Sequence, residues 1–102
     1  MDRIAQLKEI LALDPNHAFA RYGLAMEYSG ANDVAAAMGE FRALIESHPD
    51  YAAGYFMAAQ TLARAGRVDE ARQWLNDGIA AAHRSGNAHA AGEMEAMLAE
   101  LG

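Results

Sequence analysis

The stretch from Asp14 to Asp50 reads DPNHAFARYGLAMEYSGANDVAAAMGEFRALIESHPD. It opens on Asp14-Pro15-Asn16 and closes on His48-Pro49-Asp50, with the two prolines 34 positions apart. Each proline marks the end of a helix, because it holds the residue before it away from helical geometry. Between them, apolar residues recur at helical spacing on either side of Gly30-Ala31-Asn32-Asp33, a run of turn formers. A period of 34 residues, made of two helices and a tight turn, marks a unit that buries its apolar faces by stacking on copies of itself.

Outward from that stretch the same grammar continues. Residues 2–13 place Ile4, Leu7, Ile10 and Leu11 on one helical stripe that stops at Asp14-Pro15-Asn16. Asn16 or a neighbour caps a helix over 17–29, and Asn32 or Asp33 caps one ending at Ser47. The pair recurs as helices over 51–65 and 68–84 about a turn at Gly66. Beyond Ser85-Gly86-Asn87, residues 88–101 carry Ala91, Met94, Leu98 and Leu101 on one further stripe. About six helices are expected, in one domain over 1–102: a half-repeat helix (2–13), repeat 1 (17–49), repeat 2 (51–84) and a capping helix (88–101). Helix-interior glycines such as Gly39, Gly54, Gly78 and Gly92 each cost on the order of 1 kcal/mol against alanine. Of these, Gly78 is the one expected to mark a close helix approach.

Composition agrees with an all-α class. Hydrophobic residues make up 53% but aromatics only 8%, so the apolar content is mostly helix-forming alanine, leucine and methionine. Eight basic residues against fourteen acidic ones give a charge of −6, and the eight are scattered, which disfavours nucleic acid. With no cysteine, disulfides, thiolate zinc sites and a catalytic thiol are excluded. The first residues lack the apolar run of a secretory signal and no stretch is long enough to span a bilayer, so a cytoplasmic location without membrane association is expected.

The register carries a resemblance. Arg21, Leu24, Ala25, Tyr28, Ala37, Phe41 and Pro49 fall at the spacings aromatic-x2-L-G-x2-Y, A-x3-F and P, and so do Tyr55, Ala58, Ala59, Leu62, Ala71, Leu75 and His83. Leu7 precedes Pro15 by eight positions, as Phe41 precedes Pro49. Over nearly its whole length the chain resembles the tetratricopeptide repeat family, in the form of a small bacterial-type protein. The resemblance implies a right-handed helical solenoid of antiparallel helix pairs. Three departures stand out. Arg21 replaces the bulky aromatic. His83 replaces the closing proline, so the fifth helix is free to run on. Glu95 stands where Ala25 and Ala59 stand, so stacking is expected to end at the last helix.

What the resemblance implies about function is a non-catalytic module holding a peptide or protein segment along the first helix of each pair. Phe19, Tyr22 and Met26 lie on a second apolar face of their helix, away from Leu24, Ala25 and Tyr28. The corresponding line on the fourth helix includes Phe56, Gln60 and Arg64. These six form the expected groove, with aromatic anchors, an adaptable methionine and two polar orienting groups. Tyr22 and Phe56 are equally suited to packing between neighbouring first helices. A clamp for the acidic tails of heat-shock chaperones is absent, because its first three places fall on Tyr22, Met26 and Met57, which cannot donate to a carboxylate as Lys or Asn does.

No other chemistry is suggested. His17, His48, His83 and His89 lack ligand spacing and read as capping or solvated groups. Glu93, Glu95 and Glu100 read as a wet helix face. No nucleophile, base and orienting group occur together, so neither an enzyme nor a cofactor is expected, and small-molecule binding has no polar constellation behind it. The alternative is a homodimerising assembly protein, with Ile4, Leu7, Ile10 and Leu11 of the first helix as its dimer face.

Overall fold

The computed structural model describes residues 2–102. Among them are six helices and no strand: α1 (Arg3–Leu13), α2 (Ala18–Gly30), α3 (Val34–Ser47), α4 (Ala52–Arg64), α5 (Val68–Arg84) and α6 (Ala88–Glu100). The all-α fold of helix pairs is the one the periodicity predicts. The chain divides into two compact units, one ending at His48 and the other beginning at Pro49.

In the first unit, α2 packs against both α1 and α3. Leu7 and Leu11 of α1 bury against Ala20 and Leu24 of α2, with Ile4 and Tyr28 at the edge. Each fully buried leucine contributes about 1.5–3 kcal/mol. Gly23 admits this packing, because a Cβ there would lie 3.3 Å from a Leu7 methyl. Ala25 and Ala37 are wholly buried, as small residues at a helix crossing must be. The turn after α2 settles which residue does what. Asn32 is left-handed at φ 62°, and the Asp33 amide donates to the Tyr28 carbonyl at 2.9 Å. Asp33 then caps α3 through the Ala36 amide at 3.1 Å. Asparagine serves here because it tolerates the conformation that glycine ordinarily supplies.

His17, not Asn16, caps α2: its Nδ1 accepts the Ala20 amide at 3.1 Å. Asn16 is held instead by the end of α3. The His48 Nε2 donates to its carbonyl at 2.7 Å, and the Ser47 hydroxyl donates to its side-chain oxygen at 3.2 Å. Arg21 occupies the aromatic position of the repeat by a different chemistry. It pairs with Glu40 at 2.8 Å and donates to the Pro15 carbonyl at 2.8 Å.

In the second unit, α5 packs on α4 and α6, which also touch each other. Tyr55 stands 34 positions after Arg21, and its hydroxyl donates to the Pro49 carbonyl at 2.6 Å. Its ring meets Trp74, which stands 34 positions after Glu40, at 6.0 Å between centroids. One slot is therefore filled by an ion pair in one repeat and an aromatic pair in the other. Without a closing proline, α5 runs to Arg84, three residues longer than α3. Arg84 uses that extra turn to grip Asp50 at 2.7 Å and the Pro49 carbonyl at 3.2 Å. No side chain caps α5, but Asp69 and Glu70 in its first turn and His83 and Arg84 in its last complement the helix dipole.

At Gly78 α5 lies close against both α4 and α6. A Cβ there would lie 2.5 Å from Met94 Sδ and 2.6 Å from Tyr55 Cβ. The methionine sulfur can swing aside, but Tyr55 Cβ moves only with the α4 backbone. Gly78→Ala is expected to lose about 1–3 kcal/mol of stability in urea unfolding. Gly39→Ala, with nothing within 4 Å of the added carbon, gains roughly 0.5–1 kcal/mol from helix propensity.

Tyr55 adds a pH dependence. Burial raises its hydroxyl above the ordinary 10.0, against the opposing pull of Arg84. The neutral phenol is the form the fold prefers. Its stabilisation is therefore complete below pH 10 and is lost as pH rises through the raised value. Urea midpoints measured from pH 8 upward should fall at alkaline pH. Tyr55→Phe, costing about 1 kcal/mol at neutral pH, should flatten that fall.

Candidate functional site

Helix α4 is apolar on more than one face. Tyr55, Ala58, Ala59 and Leu62 are buried as the repeat requires. Phe56 and Gln60, one turn apart on the adjoining face, are only half-buried. Helix α6 has the same construction. Ala91 and Met94 are buried toward the core, while Glu93, Ala96, Met97 and Glu100, spaced i, i+3, i+4, i+7, form the next face. The two faces line an open cleft of about 440 Å³ formed by Phe56, Gln60, Glu93, Ala96, Met97 and Glu100.

The cleft has an apolar floor and a polar rim. Phe56, Ala96 and Met97 supply the apolar surface, and Met97 is flexible enough to fit irregular side chains. The Gln60 amide offers both a donor and an acceptor, which suits an extended backbone. Glu93 and Glu100 supply two carboxylates, and His89 Nε2 stands 3.4 Å from Glu93. No lysine or arginine is among the lining residues.

Two of the six groove residues expected from sequence, Phe56 and Gln60, share this cleft, and Arg64 is exposed on the last turn of α4 outside its lining. On α2, in the other unit, Phe19 is 64% exposed while Tyr22 and Met26 are half-buried. Tyr22 and Met26 occupy the repeat positions of Phe56 and Gln60, 34 residues earlier.

Sequence reasoning missed the α6 half of the cleft. Glu93 and Glu100 read there as an ordinary wet face. The available signal was the stripe of Glu93, Ala96, Met97 and Glu100 beside the core stripe. Alanine occurs on both, so the pattern does not separate them.

The first helix is placed differently from the expected dimer face. Leu7 and Leu11 are only 3% and 8% exposed because α2 covers them, and Ile4 packs at the edge of the same cluster. Of the four, only Ile10 is exposed, and Leu13 at the helix end is 91% exposed. Periodicity finds an apolar stripe but does not say which neighbour covers it.

Of the histidines, His17 caps α2 and His48 secures Asn16, while His83 and His89 are exposed. Among the described residues no group of three or more His, Cys, Asp or Glu could hold a metal ion. No described helix is long and apolar enough to cross a membrane.

Comparison with known proteins points one way. Residues 28–94 match the sequence profile described as Tetratricopeptide repeat. A TPR repeat-containing protein of Pseudomonas aeruginosa is 32% identical over 98 residues, spanning 96% of this chain and 93% of that protein. The solution structure of a Bordetella parapertussis protein superposes with a TM-score of 0.83 at 26% identity, covering 99% of this chain and 88% of that one. A solution NMR structure of a tetratricopeptide repeat domain protein from Salinibacter ruber gives 0.79 at 28% identity, covering 86% and 89%. A crystal structure of such a domain from the same organism gives 0.72 at 27% identity, covering 82% and 93%.

Proposed function

The chain belongs to the tetratricopeptide repeat family, and on that premise we propose that it is a non-catalytic module holding a peptide or protein segment on the first-helix face of its repeats. Domains of this family generally mediate protein–protein interaction. The observation that carries the reading here is the cleft between α4 and α6. Its apolar floor consists of residues that the hairpin core does not use, so Phe56 and Met97 are left for a ligand to cover. Gln60, with Arg64 on the next turn, orients the backbone of the held segment. In the first unit, Phe19, Tyr22 and Met26 on α2 offer a second contact face of the same kind.

The test is capture from an extract of the native cells, with bound proteins identified by mass spectrometry. Phe56→Ala combined with Met97→Ala is expected to abolish capture while helical circular dichroism is unchanged. Neither side chain is fully buried, so the pair costs about 1–2 kcal/mol of stability. Capture that survives both truncations would refute the cleft as the binding site.

A second reading, self-association, is favoured by a separate observation. Ile10, Leu13 and Phe19, the exposed large apolar residues among those described, lie within ten positions of one another. Burying them against a second copy would remove them from water. Light scattering at high protein concentration is expected to give a dimer that Leu13→Glu converts to a monomer. A monomeric wild-type protein would end this reading.

A further inference from the structure

Resting on the cleft assigned above, the chemistry of its rim narrows what the cleft can hold. We propose that the occupant is an extended, cationic segment: one apolar side chain with lysine or arginine two residues to either side of it. Two features of the second unit point there.

The first is geometric. Glu93 and Glu100 are seven residues apart on α6 and bracket Ala96 and Met97. At 1.5 Å per residue their Cα atoms are about 10.5 Å apart along the helix. An extended chain puts alternate side chains on one face, so residues i, i+2 and i+4 face the same way over about 13 Å, and flexible Lys or Arg side chains take up the difference. A cation at each end of such a stretch meets a carboxylate while the residue between enters the apolar floor.

The second is charge. Helix α6 carries Glu93, Glu95 and Glu100 with no lysine or arginine. Elsewhere in the unit Arg67 pairs with Glu70, Arg72 with Asp69 and Arg84 with Asp50. Arg64 stands outside the lining, and His89 beside Glu93 is cationic only when protonated. The cleft therefore presents carboxylates with no Lys or Arg in its wall, on a protein of net charge −6. An acidic segment would be repelled, and a neutral one would bring neither glutamate an opposite charge.

The test is selection of random 12-residue peptides on the full chain at neutral pH and low salt. Enriched peptides are expected to carry Lys or Arg on both sides of an apolar residue. Binding of one such peptide should shift the amide resonances of Ala96 and Met97. Glu93→Gln with Glu100→Gln should weaken it about five- to tenfold, as two partly exposed ion pairs warrant. Raising the salt to 0.5 M should weaken it similarly.

If enriched peptides are acidic or uncharged, or the glutamine variant binds them equally well while Phe56→Ala does not, the charge assignment is overturned and the cleft stands. If Phe56→Ala binds as wild type, or if no peptide is enriched, the cleft assignment falls with it.

Discussion

At Gly78 a hydrogen occupies the space where any other residue would press a carbon against Tyr55 and Met94. Those two neighbours sit on α4 and α6, so a single missing methyl group sets how deeply α5 seats against both. The cleft inherits its width from that seating. Phe56 and Gln60 face it from the helix of Tyr55, and Glu93 and Met97 face it from the helix of Met94. A residue with no side chain, on a helix that does not line the cleft, thus governs its shape.

The repeat holds its geometry more tightly than its chemistry. Arg21 and Tyr55 occupy the same register position, and both donate to a proline carbonyl six residues earlier. Their partners on the second helix, Glu40 and Trp74, also correspond, yet one pair is ionic and the other aromatic. The ionic pair is about a quarter exposed, where Coulomb attraction is weakened by water and salt. The aromatic pair gains from burial and ring contact, which salt does not screen. The two units should therefore respond differently to ionic strength.

Most of the fold was legible because its punctuation is chemical. Pro15 and Pro49 stop helices, Gly66 turns one, and the 34-residue spacing repeats the pattern. Ambiguity arose where one residue type serves two purposes. Asn32 and Asp33 are both good caps, and only backbone geometry shows that the first is left-handed and the second caps. The site was half legible. Phe56 and Gln60 stood out as residues the repeat does not require, but Glu93, Met97 and Glu100 stand in a helix whose alanines hide its second face. Leu7 and Leu11 show the converse: periodicity marked them as apolar, and only the packing of α2 shows that they are already covered.

The helix caps also differ in how many lone pairs they offer. Helix α6 begins at Asn87, whose amide oxygen accepts the Ala90 amide and has a second lone pair to spare. Helix α2 begins at His17, whose Nδ1 accepts the Ala20 amide through the single lone pair of that ring nitrogen. That bond selects the ring's tautomer, with the N–H on Nε2. The opening turn of α2, which carries Phe19, thus starts from a ring whose other nitrogen is left to face outward as a donor.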